Sequence, residues 1–150
     1  MQKKWEVKGI LLIDDHADHP TEVEATLSAL RKHFGKRRII TVFQPHRYTR
    51  VSMLKEDIAK PFYLSDIIVL TDIFPAFEKP IEGVSSEKIY EWLKTLNPGK
   101  EIVFMRDKRK IPFYLKEKLM CGDLIVLLGP GDIGALAKEI FEALEESKDE

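Results

Sequence analysis

Short, largely apolar runs alternate with stretches of helical spacing along this chain, and this alternation constrains its fold most strongly. The runs occupy residues 10–13, 39–43, 67–70, 101–105 and 124–128. Because they are continuously apolar, a strand formed by each run must be covered on both faces. Strands separated by helices form parallel sheets between two helical layers. The sequence therefore predicts a three-layer, Rossmann-like α/β domain with a mostly parallel sheet and helices on both faces.

The segments between these runs predict the helices and one further strand. Helices are expected at residues 21–34, 51–60, 86–96, 112–118 and 133–144. Gly35 is the expected C-cap of the first helix, and Pro61 is expected to end the second. Residues 5–7, before Lys8 and Gly9, are expected to form a hairpin with the first run, which gives about five to six strands. We expect residues 1–150 to form one domain.

Composition and charge exclude several classes of protein. The 24 Lys and Arg residues are balanced by 25 Asp and Glu residues, which leaves no global field to hold nucleic acid or an anionic membrane. The single cysteine, Cys121, excludes an internal disulfide and a cysteine-based zinc site. The longest purely apolar run has five residues, too few to span a bilayer, and the N-terminus has no signal-peptide pattern. We therefore expect a cytoplasmic protein with no nucleic-acid or membrane partner.

Polar loops follow four of the predicted strands. These loops occupy residues 14–22, 44–50, 71–75 and 129–134, and they hold three of the four histidines. In open α/β sheets, ligands bind beyond the carboxyl ends of the strands. The convergence of several polar loops on one sheet edge therefore predicts a shared binding site.

The last of these loops has both a functional and a structural interpretation. Residues 129–134 fit the pattern G-x-G-x-x-G between a strand and a helix, where backbone N–H groups can hold an anion. No second strand follows to supply a ribose-binding acid, and Asp132 would place negative charge beside a pyrophosphate. We favour a tight turn that lets the final helix pack closely.

The other candidate residues also have two interpretations. Asp14 and Asp15 are interpreted either as oxygen ligands for Mg²⁺ or acceptors for ribose hydroxyls, or as an exposed acidic turn. Arg47 and Arg50 suit a carboxylate or phosphate, or are simply two surface arginines. His16 and His19 lack the spacing of a helical metal-binding pair, so no metal site is predicted.

Residues 10–16 and 65–73 resemble the first and third strands of a response-regulator receiver domain, with Asp72 as the phospho-acceptor. Such a domain needs a Ser or Thr after its fourth strand and a Lys after its fifth. This chain has Met105-Arg106 and Gly129-Pro130 there, and without the lysine nothing positions an incoming phosphoryl group. The receiver interpretation is kept only as an alternative.

A second resemblance covers nearly the whole chain. Residues 14–22, 43–50 and 129–133 resemble three motifs in the C-terminal domain of the Mur ligases, most closely the alanine-adding members. This resemblance implies an ATP-dependent amide ligase of peptidoglycan synthesis in the cell wall. ATP would phosphorylate the carboxylate of UDP-N-acetylmuramate, L-alanine would attack the acyl phosphate, and Mg²⁺ would neutralise the phosphates. The implied partners are the N-terminal and central ligase domains, and this domain alone is expected to hold no cofactor tightly.

The resemblance also implies roles for individual residues. Those implied to contact ATP are Asp15, at the ribose, and Lys4, near the phosphates. His19 would be the catalytic residue, in the loop facing the reaction centre. Those implied to bind the amino-acid substrate are Arg47, His46, Arg50 and, on the next strand along the cleft, Asp72.

Four positions depart from the family pattern. The family usually has an aromatic residue where His16 stands, a histidine where Asp18 stands and a small residue where Pro130 stands. It often has an arginine where Lys4 stands, and a lysine lacks the bidentate fork. These departures fit a divergent member, weakened nucleotide contact or a different acceptor.

The chain lacks the phosphate-binding loop G-x-x-x-x-G-K-[S/T] that such a ligase needs. Its two Gly-Lys pairs, Gly35-Lys36 and Gly99-Lys100, are followed by Arg37 and Glu101 rather than Ser or Thr. We therefore expect a C-terminal domain, as a fragment or the product of a split gene, that is inactive alone. A stand-alone binding module that kept this fold is the other possibility.

The purified chain, supplied with ATP, UDP-N-acetylmuramate and L-alanine, is expected to form no UDP-N-acetylmuramoyl-L-alanine, because it has no G-x-x-x-x-G-K-[S/T] loop to hold the ATP phosphates. Mass spectrometry of the uridine nucleotides measures this. Product formed by the chain alone would contradict the expectation.

Overall fold

The computed structural model describes residues 2–146 and contains one six-stranded sheet. Its strands are β1 (Gln2–Val7), β2 (Ile10–Asp15), β3 (Ile39–Phe43), β4 (Ile67–Leu70), β5 (Glu101–Phe104) and β6 (Leu124–Leu128). Their order across the sheet is β1-β2-β6-β3-β4-β5. β1 pairs antiparallel with β2 as the expected hairpin, and every other pairing is parallel. The predicted α/β class is confirmed.

Helices cover both faces of this sheet. They are α1 (Pro20–Phe34), α2 (Tyr48–Leu54), α3 (Ser86–Leu96), α4 (Ile111–Lys118) and α5 (Leu136–Glu146). Alternate residues of β3 enter two separate cores, since Ile39 packs in the cluster that contains residues of α1 and α3, while Ile40 packs in the cluster that contains residues of α4 and α5. This two-sided burial explains the continuously apolar strands. No helix in the described part of the chain is long and apolar enough to cross a membrane.

The largest difference from the sequence prediction lies between β3 and β4. The predicted helix at 51–60 is an α-helix that ends at Leu54, followed by a 3-10 segment over Lys55–Leu64. Lys55 has a positive φ of 52°, which breaks the α-helical path. Pro61 lies inside the 3-10 segment rather than after a helix.

Smaller differences concern element ends. The first parallel strand continues through Asp15, because the backbone of its last residues pairs with β1 on one side and β6 on the other. The fourth ends at Phe104, one residue early, and a 3-10 turn over Ile133–Ala135 precedes α5.

The strand order contradicts the receiver alternative. In receivers, the first and third parallel strands in the chain are neighbours, which brings the acidic pair beside the phospho-acceptor. Here β6 and β3 lie between β2 and β4. Asp15 and Asp72 are therefore separated by two strands and cannot form one acidic pocket.

The loop after β6 is a tight turn whose glycines allow close packing. A Cβ at Gly131 would lie 2.6 Å from the Gln44 side chain and 2.7 Å from the Phe74 ring, and one at Gly134 would lie 2.5 Å from the Asp14 carboxylate. The G-x-G-x-x-G pattern therefore forms a tight turn, as the favoured interpretation predicted. These glycines bring neighbouring groups close to the backbone of the loop.

Gly129→Ala is expected to lower the free energy of unfolding by more than about 3 kcal/mol, because a rarely allowed φ and a backbone clash add together. Gly129 has φ +138°, and its Cβ would lie 2.6 Å from the Gln44 carbonyl oxygen. Gly83→Ala is the control, since its φ is +84° but no atom lies within 4 Å of the added Cβ. It should cost about 1–2 kcal/mol. Urea denaturation measures both, and equal losses would contradict the packing argument.

Candidate functional site

Two loops meet at the carboxyl edge of the sheet and bound a cavity of about 350 Å³. One loop follows β2, and the other follows β3 and leads into α2. The side chains that line the cavity are His19, Arg47, Thr49, Arg50, Met53 and Leu54. Three of the residues selected from the sequence therefore share one cavity.

Gln44 anchors the second loop to the last one. Its Nε2 donates to Asp132 Oδ1 at 2.7 Å, and its Oε1 accepts from the Ile133 backbone N–H at 3.1 Å. The Lys108 ammonium lies 3.2 Å from Asp132 Oδ2. Burial opposes the ionised form of Asp132, but these two donors outweigh it and lower the pKa of the carboxyl. Asp132 therefore serves to hold the loop, a role that the motif pattern did not indicate.

Phe74, which follows β4, supports the centre of the second loop. The Arg47 N–H donates to the Phe74 carbonyl oxygen at 2.8 Å, and the His46 ring stacks on the Phe74 ring with centroids 5.6 Å apart. These contacts hold Arg47 at a positive φ of 72° at the start of α2. Its side chain is exposed, and no carboxylate of residues 2–146 lies within 4 Å of it. The structure thus presents an unpaired guanidinium at the cavity.

Arg50, by contrast, is paired with an acid from the first loop. Its Nη1 donates to Asp18 Oδ1 at 2.9 Å, and Asp18 Oδ2 lies 3.9 Å from His46 Nδ1. Asp18 is only 7% exposed. Burial lowers the pKa of His46 below its usual 6.5, the Asp18 charge opposes this, and Arg47 and Arg50 add to it. The imidazole is therefore neutral at pH 7.

Thr49 binds a second acid at the start of α2. Its N–H and hydroxyl donate to the Glu78 carboxylate at 3.0 and 2.6 Å. These bonds, led by the one from the hydroxyl, lower the pKa of Glu78. The guanidinium groups of Arg47 and Arg50 and the carboxyl groups of Asp18 and Glu78 therefore lie around a neutral imidazole.

His19 has a structural role that its motif position did not reveal. Its Nδ1 accepts from the Thr21 N–H at 3.2 Å, and its own N–H donates to Glu22 Oε1 at 3.3 Å, which forms a capping box at the start of α1. The ring still lines the cavity. The cap orients His19 toward the shared site.

Asp15 and Lys4, selected as nucleotide contacts, lie on one face of the sheet. Asp15 Oδ1 accepts from the Ala17 N–H at 2.9 Å, and Oδ2 accepts from the Thr26 hydroxyl of α1 at 3.1 Å. Lys4 is exposed and pairs across the hairpin with Ile13, two residues before Asp15. Diagonal neighbours of this kind are about 7–8 Å apart, within reach of a long side chain.

Asp72 is held outside the Arg47 cavity. Its Oδ1 accepts from the Ser86 hydroxyl of α3 at 2.8 Å, and its Oδ2 lies 3.1 Å from Arg106 Nη1. The other terminal nitrogen of Arg106, Nη2, pairs with Glu87. The structure therefore brings Asp72 toward α3 rather than to the other selected residues. Within residues 2–146, no three His, Cys, Asp or Glu side chains form a cluster that could hold a metal ion.

Comparisons with known proteins point to one family. A family model described as Mur ligase, glutamate ligase domain, matches residues 1–131. The UDP-N-acetylmuramate–L-alanine ligase of Geotalea daltonii is 42% identical over 146 residues, which are 97% of this chain and 31% of the relative. The ligase of the same name from a Sulfurihydrogenibium species is 41% identical, over 98% of this chain and 33% of its own. The chain thus spans about a third of the length of the curated relatives it matches.

The fold also matches a solved ligase. The UDP-N-acetylmuramate–alanine ligase of Thermotoga maritima aligns with a TM-score of 0.75 and 25% identity, over 94% of this chain and 28% of that one.

His46→Gln is expected to weaken the loss of stability on acidification. In the wild type, the folded imidazole binds fewer protons than the unfolded one, because its folded pKa is lowered. Stability therefore falls as the pH drops through about 6.5, until the folded His46 is also protonated. Urea denaturation between about pH 7 and 5 should show a shallower slope for the variant. Parallel pH curves for the two proteins would contradict this.

Proposed function

The chain belongs to the Mur ligase family and corresponds to the C-terminal domain of those ligases; on that premise we propose that it forms the amino-acid-binding part of an ATP-dependent ligase. The proposed ligase adds L-alanine to UDP-N-acetylmuramate in peptidoglycan synthesis, in the cytoplasm. The N-terminal and central domains are its proposed partners. The names of the relatives support this reaction. The chain spans about a third of their length, which supports assigning the rest of the reaction to the other two domains.

The observation that carries the proposal is the unpaired guanidinium of Arg47. An amino acid must be held by its carboxylate so that its amino group is free to react. Arg47 offers a planar fork that matches a carboxylate, beside a cavity of about 350 Å³ that is large enough for a small amino acid. The contacts with Phe74 fix the backbone that carries this fork.

The reaction needs an uncharged amine at the reacting carbon. ATP transfers its γ-phosphoryl group to the muramate carboxylate, the amine nitrogen attacks the acyl carbon, and phosphate leaves as the amine loses a proton. In the proposed site Arg47 binds the alanine carboxylate and thereby orients the amine. L-Alanine enters with an ammonium group, which must lose one proton to solvent before its nitrogen can attack, and the neutral His46 adds no positive charge that would repel this group as it binds.

Nucleotide contacts are proposed for the face that carries Asp15. Carboxylate oxygens accept bonds from ribose hydroxyls, and the Lys4 ammonium suits the phosphates. His19, at the cavity wall, is proposed to face the reaction centre.

Mg²⁺ supplies charge neutralisation to the phosphates in phosphoryl transfer. The donor set of this chain does not fit a resident ion, since the described residues contain no cluster of three suitable side chains. Asp15, moreover, already accepts bonds from Ala17 and Thr26. No step of the proposed reaction is therefore assigned to a metal bound by this domain.

Arg47→Ala is expected to raise the KM for L-alanine about tenfold or more, with little change in the KM for ATP, because a charge-assisted bond to a carboxylate contributes about 1.5–3 kcal/mol. The measurement uses the assembled ligase, meaning this chain joined to the preceding two thirds of the Geotalea daltonii ligase. Arg109→Ala, which removes an exposed arginine bound to Asp107, is the matched control. An unchanged KM for alanine would remove Arg47 from the site.

A further inference from the structure

Asp18 stands where the family motif usually has a histidine, and the structure gives this carboxylate an unusual position. It follows β2, at the boundary between the two loops of the site, and is 7% exposed. Its Oδ1 accepts from Arg50 at 2.9 Å. Its Oδ2 is buried and accepts no hydrogen bond from any group in the described part of the chain. A buried charge of this kind is retained only when a partner compensates it.

The compensating partner of Asp18 is Arg50. Arg50 and Arg47 belong to the same motif, and both line the cavity. Arg50 is 38% exposed at its side chain, whereas the Asp18 side chain is 9% exposed. Removing Arg50 from Asp18 to bind a ligand would leave a buried carboxylate without a cation, which is costly. The Asp18–Arg50 pair therefore makes the Arg50 guanidinium unavailable to a ligand and leaves that of Arg47.

Asp18 also lies near the edge of the His46 ring, whose face stacks on Phe74. The His46 Nδ1 lies 3.9 Å from Asp18 Oδ2, and its ring lies nearly parallel to that of Phe74, at 10°. The charged groups around this imidazole are Asp18, Arg47, Arg50 and Glu78. Loss of the Asp18 charge would leave two cations and only Glu78 to face it.

We propose that Asp18 determines the specificity of the amino-acid site by pairing with Arg50, so that Arg47 alone is left to bind a carboxylate. The site then accepts an amino acid with one carboxylate and discriminates against one that carries a second. This inference rests on the proposed function, since it assumes that an amino acid binds at Arg47. Asp18 acts here through Arg50 and is a positioning residue.

The kinetic experiment measures competition in the assembled ligase. L-aspartate is tested as an inhibitor against L-alanine, because it is alanine with one carboxylate added at Cβ. Asp18→Asn is expected to lower the Ki of L-aspartate about fivefold and to change the KM for L-alanine less than twofold, since a freed, partly exposed Arg50 gains one ion pair. The double variant Asp18→Asn/Arg50→Gln should restore the wild-type Ki, because the freed cation is gone.

The structural experiment uses the chain by itself. An NMR titration of His46 in Asp18→Asn should show a pKa below that of the wild type, since the carboxylate that raises it has been removed. A loop that merely collapsed would expose the ring and move the pKa upward instead. Asp123→Asn is the matched control for both experiments, because Asp123 is a buried acid paired with Arg38 at 2.7 Å. It directly precedes β6 and so lies at the amino ends of the parallel strands, away from the cavity.

The outcomes separate this inference from the proposed function. If Arg47→Ala leaves the KM for alanine unchanged, the proposed function fails and the specificity of Asp18 fails with it. If Arg47 is required but the Ki of L-aspartate is the same in wild type and Asp18→Asn, only the role of Asp18 is overturned. A fivefold fall in Ki that the double variant reverses supports it, as does the downward shift of the His46 pKa. An upward shift would overturn it.

Discussion

The insertion of β6 between β2 and β3 is the constraint on which the site depends. It places the loop after β6 directly between the two loops that bound the cavity. Side chains on that middle loop would hold its neighbours apart, and its glycines remove them at the points where Gln44, Phe74 and Asp14 approach. Gln44 then closes the contact by bonding both Asp132 and the Ile133 backbone. The first and second loops can therefore meet, as the bond between Asp18 and Arg50 shows.

Charge at the cavity is arranged so that one cation remains available. Each of the two acids near it is bound, Asp18 to Arg50 and Glu78 to Thr49. His46 stays neutral because burial outweighs the attraction of Asp18. Arg47 is left as an exposed guanidinium on a backbone fixed by Phe74. An arrangement of this kind suits recognition of one small anionic group rather than a polyanion.

The sequence predicted the elements better than the contacts between them. Three of the apolar runs matched their strands to the residue, because continuous apolar character and burial on both faces describe the same property. The break at Lys55 was missed, since a positive φ in a lysine has no signal in composition or spacing. The motifs selected Arg47, Arg50 and His19, which do share a cavity. The support from Phe74, the pairing of Arg50 with Asp18 and the separation of Asp72 depend on strand order, which the spacing of residues along the chain does not encode.

The most direct test of the account is a crystal structure of the assembled ligase with ADP and UDP-N-acetylmuramoyl-L-alanine. We expect the alanyl carboxylate within hydrogen-bond distance of the Arg47 guanidinium, the Asp18–Arg50 pair still closed, and the ribose beside Asp15. A carboxylate bound elsewhere, with Arg47 turned toward solvent, would contradict it.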